Sequence, residues 1–248
     1  MLVVLLLALV KKKIFITDKL DDVSHHMSEL KLIKENEIFQ LIPSDKEHDI
    51  HYITGQSGCG KSWWAKNYIN EYIKLHPKNS IYLFSSISED ESIDSIKGLH
   101  RVNIHDPDFI SDDLELDDFK NSLVIFDDTD CIHNKHIKLK INNILNMILE
   151  TGRHANISVI FTSHIACAGN DTKRILNEAH TITIFPKSLG NKTLKYLLDS
   201  YFGLSKPQIM KVKKMTGGGR HVSILKTYPM TVMSEKHIFV LNDDNNEI

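Results

Sequence analysis

The stretch ITGQSGCGKSWW, residues 53–64, joins an apolar run to the start of an amphipathic segment. Gly55 and Gly60 enclose four residues and are followed by Lys61 and Ser62, which is the G-x-x-x-x-G-K-[ST] spacing of a phosphate-binding loop. Glycines let backbone N–H groups close around phosphate oxygens, and a helix that begins near Lys61 adds its positive end. The spacing predicts a nucleoside triphosphate site.

Each residue of this loop has an expected role. Lys61 brings a positive charge to the β- and γ-phosphates, and Ser62 offers its hydroxyl to Mg²⁺. The predicted nucleotide-binding residues are Gly55, Gln56, Ser57, Gly58, Cys59, Gly60, Lys61, Ser62 and Trp63. The alternative is a chance glycine-rich turn. Against it, HDIHYIT before the loop reads as a strand, and apolar residues at three- and four-residue spacing after it read as a helix.

The two tryptophans after the loop allow two interpretations. Trp63 and Trp64 could stack on nucleobases, as aromatic side chains do in single-strand binding sites. Their position at the start of the helix favours packing of that helix against a sheet instead.

A second signal is SLVIFDDTD, residues 122–130. Its four consecutive apolar residues predict a strand buried on both faces, with two aspartates at the carboxyl end, where ligands bind in open α/β sheets. We expect Asp127 to hold Mg²⁺, directly or through water, and Asp128 to orient and polarise an attacking water. Helix capping is the alternative role for these adjacent carboxylates.

Strands and helices alternate along the chain. Further strands are predicted at residues 80–86, 156–164 and 180–185, and a weaker one at 101–105. One intervening helix carries a shared apolar face of Ile137, Ile141, Ile144, Leu145 and Ile148. The alternation predicts an α/β fold: a mostly parallel sheet with helices on both faces and a small C-terminal β extension.

The strand at residues 156–164 has a polar tip, Thr162, Ser163 and His164. Ring and motor ATPases with a water-polarising carboxylate place an extra strand between the phosphate-loop strand and the acidic strand, and its tip senses the γ-phosphate. With the five stronger strands numbered along the chain, this arrangement predicts the order 5-1-4-3-2.

Two arginines are candidates for stabilising charge on a transferring phosphoryl group. Arg153 follows Gly152, which would end the preceding helix, and a neighbouring subunit often supplies such an arginine. The alternative is a helix-terminal arginine that complements the helix dipole. Arg174 is the second candidate.

Length and composition are those of a globular protein. The 248 residues, 42% hydrophobic and 25% charged, can bury one substantial core. We expect an N-terminal extension over residues 1–45, a phosphate-loop core over 46–188 and a basic C-terminal extension over 189–248. Three cysteines, Cys59, Cys131 and Cys167, match no metal-ligand spacing and favour a reduced, intracellular compartment.

Charge is unevenly distributed despite a net charge of −2. Residues 186–228 contain nine Lys or Arg and a single acidic residue, Asp199. This segment could bind nucleic acid, or it could be a solvated basic face.

The N-terminus is MLVVLLLALV followed by three lysines. A membrane-spanning helix needs about 20 apolar residues, and a secretory signal begins with basic residues. We expect a buried strand or an extra leader here and no membrane contact.

Four segments, GQSGCGKS, NSLVIFDD, ETGRHANISVIFTSH and ILNEAHTITIFPKS, resemble in sequence and order the genome-packaging ATPases of large nucleocytoplasmic DNA viruses. These enzymes form the poxvirus-type branch of the FtsK/HerA P-loop superfamily. The third segment is the most discriminating, and the resemblance spans about residues 53–188.

The resemblance implies a homo-oligomeric ring that hydrolyses ATP with Mg²⁺ and drives double-stranded DNA into a capsid through portal components. It implies a location in the host cytoplasm, at the viral factory, or in the virion. Lys61 and Ser62 would bind phosphate and Mg²⁺, Asp127 would belong to the metal site and Asp128 would activate water. Many FtsK/HerA proteins have glutamate at the position of Asp128, and glutamine in the sensor at the position of Ser163 or His164.

Three other functions remain open. A helicase or remodelling ATPase would share these motifs. A nucleotide-binding assembly protein could use the apolar N-terminus as an anchor, and a small-molecule kinase could use the same phosphate loop.

Overall fold

The phosphate-loop strand lies in the interior of a nine-stranded sheet. The computed structural model describes residues 41–43, 48–167, 169–215, 219–226 and 230–241, together with the backbone of 9–10 and 12–13. Within these residues the strands of the sheet are β1 (Ile50–Thr54), β2 (Ser80–Ser85), β3 (Leu99–Arg101), β4 (Ser122–Asp127), β5 (Ile157–Ser163), β6 (Thr181–Ile184), β7 (Val222–Leu225), β8 (Met230–Ser234) and β9 (Ile238–Leu241).

The strand order is β9-β8-β7-β6-β1-β5-β4-β2-β3. The six strands from β6 to β3 run parallel, and β7, β8 and β9 continue the sheet as antiparallel neighbours. The predicted α/β class and mostly parallel sheet are therefore confirmed. The carboxyl ends of the parallel strands share one edge of the sheet, and that edge is where ligands bind in such folds.

The helices of the described chain are α1 (Lys61–Leu75), α2 (Glu91–Asp94), α3 (Pro107–Ser111), α4 (Lys135–Thr151), α5 (Asn170–Glu178), α6 (Asn191–Tyr196) and α7 (Lys206–Met215). Short 3₁₀ turns occupy Leu116–Phe119, Thr129–Cys131, Gly152–Ala155 and Pro186–Ser188, and a π turn occupies Leu197–Tyr201. Within the described ranges, none of the helices has both the length and the apolar character to cross a bilayer.

The five strongly predicted strands are neighbours in the expected order, as β6-β1-β5-β4-β2. The order of the whole sheet differs from the five-strand prediction because β3 is added at one edge and β7–β9 at the other. The weak prediction at residues 101–105 is wrong in position, since β3 ends at Arg101. The chain turns there because the Asn103 side chain accepts the His105 N–H at 3.2 Å and the Asn103 carbonyl accepts the Asp106 N–H.

Apolar layers cover both faces of the sheet. On one face α1 packs Trp64, Tyr68 and Ile69 over residues of β1, β2, β4 and β5. On the other, α4 buries the predicted apolar face, and α5, α6 and α7 complete the layer. Strands enclosed in this way read as unbroken apolar runs because neither face meets water.

The tryptophan pair divides between core and surface. Trp64 is 3% exposed and stacks on Tyr68, with ring centroids 5.5 Å apart, whereas Trp63 is 53% exposed. The helix packs against the sheet as expected, but only Trp64 of the pair takes part in that packing. Adjacent helical residues point about 100° apart, so a helix that buries Trp64 turns Trp63 outward.

The predicted N-terminal extension lies largely outside the described residues. Leu9–Val10 pairs antiparallel with Lys12–Lys13 in a separate two-stranded ladder. The boundary at residue 188 stays a prediction, although β7 is hydrogen-bonded to β6 and so continues the core sheet.

His51 is a fully buried titratable group in β1. Its Nε2 lies 2.8 Å from Thr183 Oγ1, and its ring packs on Trp64 with centroids 4.5 Å apart. Burial, followed by the nearby His221 and His180, lowers the pKa of His51 from 6.5 to about 3. The native state therefore holds His51 neutral over a range where the unfolded chain binds a proton. Its contribution to stability is complete above pH 6.5 and is lost as the pH falls toward 3.

We expect His51→Gln, which keeps a polar side chain near Thr183, to flatten the pH dependence of unfolding. Because unfolded His51 binds a proton at pH 5, this residue should lower the free energy of unfolding of the parent chain by about 2 kcal/mol between pH 7 and pH 5. Urea unfolding at the two pH values would measure the difference, with the exposed His105→Gln as a control that keeps the parental slope. Parallel profiles for parent and His51→Gln would contradict the assignment.

Candidate nucleotide-binding site

The phosphate loop leaves the amino terminus of α1 open. Gly60 precedes the helix with φ 111° and ψ 18°, a backbone region that favours glycine. Within the described chain no side chain caps this terminus, and the first turn contains no acidic residue. The free N–H groups and the positive end of the helix therefore form an anion site.

Gly55 is required by close packing. A Cβ at this position would lie 2.6 Å from Cys59 Sγ and 2.9 Å from Ser188 Oγ. Ser188 Oγ also accepts the Gln56 N–H at 3.2 Å and donates to the Phe185 carbonyl at 2.9 Å. The segment after β6 thus holds the first half of the loop. Ser188 was not predicted as a site residue, although it ends the last of the four resemblance segments.

Lys61 points back across the loop toward the tip of β5. Its side chain is 5% exposed, and Nζ donates to the Gly55 carbonyl at 2.9 Å. Nζ also lies 3.1 Å from His164 Nδ1 and 3.7 Å from Asp128 Oδ1. The structure therefore brings together the predicted phosphate ligand, one predicted sensor residue and the predicted water-activating acid.

His164 bridges Lys61 and Asp128. Its Nε2 lies 2.8 Å from Asp128 Oδ2, while Nδ1 faces Lys61. A lysine ammonium only donates and a carboxylate only accepts. His164 must then accept at Nδ1 and donate from Nε2, which defines a neutral imidazole with its proton on Nε2.

Asp128 has a left-handed backbone, with φ 48° and ψ 33°. Its N–H donates to Thr162 Oγ1 at 2.9 Å. Aspartate and asparagine tolerate this conformation better than longer side chains, which gives a physical reason for aspartate where many relatives of the resembled family have glutamate. Asp128 precedes the 3₁₀ turn Thr129–Cys131, but its side chain does not cap it. The capping alternative is wrong for this residue.

Asp127 is nearly inaccessible, with 2% of its surface exposed. Oδ1 accepts from Thr162 Oγ1 at 2.8 Å, and Oδ2 accepts from Ser85 Oγ at 3.3 Å. Burial, and then the neighbouring Asp128 carboxylate, raises the pKa of Asp127. A bound cation would favour the charged form. Ser85 was not predicted as a site residue. Its position at the end of β2, paired with Asp127 in the sheet, is the signal that could have indicated it.

The candidate Mg²⁺ ligands are oxygen donors. Ser62 lies in the first turn of α1, half-buried, and Asp127 ends β4. Among the described residues no group of three or more His, Cys, Asp or Glu side chains is arranged to hold a metal. Mg²⁺ commonly takes one or two protein oxygens and completes its shell with water and substrate phosphates. A serine hydroxyl and a carboxylate fit an ion that arrives with a nucleotide.

The three predicted sensor residues divide between two clusters. Thr162 contacts Asp127 and His164 contacts Lys61 and Asp128, whereas Ser163 Oγ donates to Asp130 Oδ2 at 2.6 Å. Successive side chains of a strand point to opposite faces. Ser163 therefore has different partners from Thr162 and His164, and its pairing with Asp130 was not predicted.

Arg153 is not near this site. It is exposed in the turn Gly152–Ala155, which precedes β5. Seven strand residues, about 23 Å of extended chain, separate it from the carboxyl edge. Only another copy of the chain could present Arg153 to a phosphate bound here. Arg174 forms an ion pair with Glu150 in the last turn of α4.

Cys59 is a half-buried member of the loop. Burial raises the pKa of its thiol, despite the nearby Lys61 charge. A thiol held in its protonated form is a poor nucleophile. The raised pKa therefore favours a packing role for Cys59 in the loop.

Comparison with known proteins places the chain in a viral family. No family model matches it. It is 42% identical over 200 residues to the Sputnik virophage protein described as Uncharacterized protein V3, and the alignment covers 79% of each chain. The chain belongs to the V3 family.

Solved structures similar to this V3-family chain are more distant. The genome-packaging NTPase B204 of Sulfolobus turreted icosahedral virus 2, in complex with AMP, is 17% identical with a TM-score of 0.47 over 81% of this chain and 98% of that one. The DNA-packaging ATPase B204 of Sulfolobus turreted icosahedral virus is 17% identical with a TM-score of 0.49, over 76% and 98%. The cytoplasmic domain of the Thermomonospora curvata type VII secretion ATPase EccC is 11% identical with a TM-score of 0.49, over 80% and 26%. Likenesses this weak transfer no function to the V3 family.

Proposed function

We propose that this chain is a Mg²⁺-dependent ATP hydrolase that works as a DNA-translocating motor in viral genome packaging. The observation that carries the hydrolase is the contact among Lys61, His164 and Asp128 beside the open amino terminus of α1. A passive nucleotide-binding protein has no need of a carboxylate held at that point.

The residues divide the hydrolytic step among them. Backbone N–H groups of the loop and Lys61 bind the β- and γ-phosphates. Asp128 takes a proton from a water that attacks the γ-phosphorus, while the bond to the bridging oxygen of ADP breaks. Ser62 and Asp127 would hold Mg²⁺, which would supply positive charge against the phosphates.

Nucleotide binding must change the partners of Lys61. In the structure the Lys61 ammonium lies 3.7 Å from Asp128 Oδ1, where it stabilises the charged form of the carboxylate. A triphosphate is the more highly charged anion and draws Lys61 away from the carboxylate. Asp128 is then free to accept a proton, so substrate binding prepares the base.

The motor part of the proposal rests on the sequence resemblance and on the placement of basic residues. Antiparallel pairing sets Val222 of β7 beside Ile184 of β6, at the carboxyl edge of the parallel strands. Arg220 and Lys214 are exposed near that edge, and Lys213 is half-buried with Nζ 3.3 Å from Asn191 Oδ1. A phosphate backbone bound by these side chains would lie at the same edge as the nucleotide. Gly217 and Gly218, between them, lie outside the described residues.

We expect double-stranded DNA to stimulate ATP hydrolysis, and alanine at Lys213, Lys214 and Arg220 to weaken DNA binding. Each lost phosphate contact lowers the slope of log affinity against log salt concentration by about 0.9. The slope of the triple variant should therefore be smaller than the parental slope by roughly two to three. Hydrolysis without DNA should stay parental. Alanine at the exposed Lys78, Lys97 and Lys120 is the matched control.

The outcomes separate the rival functions. An unchanged salt slope in the folded triple variant would place DNA elsewhere. Phosphate transferred to an acceptor other than water would indicate a kinase, and strand separation on a forked duplex would indicate a helicase. The same proposal includes a homo-oligomeric ring in which Arg153 acts across subunits, and capsid or portal components as partners. It also includes membership of the poxvirus-type branch and a location at the viral factory or in the virion.

A further inference from the structure

The chain on both sides of His164 is held by hydrogen bonds to side chains of neighbouring segments. Tyr52 in β1 is fully buried, and its hydroxyl lies 3.0 Å from the Ile165 carbonyl and 3.2 Å from the Ala166 carbonyl. These carbonyls belong to the segment that follows β5. A central strand of the sheet thus reaches out to hold the chain just past the sensor histidine.

A second set of hydrogen bonds holds the residue that precedes His164. Ser163 Oγ donates to Asp130 Oδ2 at 2.6 Å and accepts the Ile165 N–H at 3.0 Å. Asp130 lies in the 3₁₀ turn that follows Asp128. The acidic segment after β4 therefore holds the tip of β5 through Asp130 while Asp128 receives His164 from that same tip.

Packing alone does not explain the Tyr52 hydroxyl. The ring contacts Phe161 with centroids 5.8 Å apart, and phenylalanine would fill the same space. A buried hydroxyl is unfavourable unless it is hydrogen-bonded, and here its acceptors are two carbonyls of one irregular segment. Burial also raises the pKa of Tyr52, so the phenol remains a donor at any working pH.

We propose that Tyr52 and Asp130 are positioning residues that fix residues 163–166 so that His164 meets Lys61 and Asp128 together. This inference rests on the proposed hydrolase. His164 spans the 3.1 Å and 2.8 Å contacts at once only while its backbone is held. Loosening that segment lets the imidazole leave Asp128 Oδ2, and the carboxylate is then held only at Oδ1, which accepts from Thr162 Oγ1 at 3.1 Å and lies 3.7 Å from Lys61 Nζ.

The test is Tyr52→Phe, which removes one oxygen atom. We expect kcat for ATP to fall about tenfold, the effect of losing roughly one hydrogen bond in orienting the base, with KM changed less than about twofold because Tyr52 does not face phosphate. Tyr68→Phe is the matched control, since it removes another buried hydroxyl, 3.0 Å from Asp49 Oδ2, on the helix side of the sheet. It should lose similar stability and keep the parental kcat.

A double-mutant cycle separates positioning from general destabilisation. In a His164→Ala background Tyr52→Phe should have no further effect on kcat, because the group it positions is gone. Asp130→Ala, which removes the acceptor of the Ser163 hydroxyl, should behave like Tyr52→Phe. Equal kcat values for Tyr52→Phe and Tyr68→Phe, or additive losses in the cycle, would overturn the proposal.

A measurement without turnover keeps this inference distinct from the hydrolase itself. The imidazole ¹⁵N signals of His164, assigned by their loss in His164→Ala, should show the Nε2–H tautomer in the parent chain and a mixture in Tyr52→Phe. If the parent released no phosphate from ATP, the hydrolase proposal would fail while these signals still reported on the positioning. Unchanged His164 signals in Tyr52→Phe would contradict the positioning alone.

Discussion

Asp128→Asn is expected to retain nucleotide binding and to lower ATP hydrolysis by about 10²-fold or more, the usual contribution of a positioned base. Asparagine has the same shape and tolerates the left-handed backbone at this position. It can still accept the His164 Nε2–H, but it cannot take a proton from water. The loss should therefore be chemical rather than structural.

The binding side of the same variant is equally informative. Lys61 loses the carboxylate that competes with phosphate for its ammonium, so we expect ATP affinity to be unchanged or higher. Single-turnover phosphate release and equilibrium nucleotide binding measure the two effects. Asp113→Asn, an exposed carboxylate outside the site, is the control that should match the parent. Hydrolysis by Asp128→Asn at the parental rate would remove Asp128 from the chemistry.

Lys61→Ala is expected to weaken ATP binding by roughly tenfold to a hundredfold, because hydrogen bonds to charged groups contribute about 1.5–3 kcal/mol. The ammonium already lies inside the site, 2.9 Å from the Gly55 carbonyl. Hydrolysis should fall together with binding, since the same charge stabilises the transferring phosphoryl group.

Lys66→Ala is the control for this variant. Lys66 is on the same helix, but its Nζ contacts Ser95 Oγ at 2.9 Å, away from the loop. Calorimetric titration with a non-hydrolysable ATP analogue compares the two. Parental affinity in Lys61→Ala would mean that the loop backbone and the helix terminus hold the phosphates without the lysine.

The sequence by itself predicted a phosphate-binding loop, and it determined the acidic strand and the order of five strands. Loop spacing is a local property, since residues 55–62 are read within eight positions of the chain. The five-strand order followed from the polar tip at residues 162–164, which matches the extra strand that ring and motor ATPases place between the phosphate-loop strand and the acidic strand. Trp63 shows the limit of this reasoning. Its neighbour Trp64 lies on the buried side of α1 and Trp63 on the exposed side, and the sequence of the pair does not say which of the two positions faces the sheet.

The partners of the polar side chains were decided by the tertiary structure alone. Lys61 and His164 are 103 positions apart, and Gln56 and Ser188 are 132 apart, so no local pattern relates them. Arg153 precedes the strand that carries the sensor, yet the length of β5 places it at the opposite edge of the sheet. Side-chain contacts at a strand end depend on register and on alternating direction, which pairing with neighbouring strands sets only when the sheet forms.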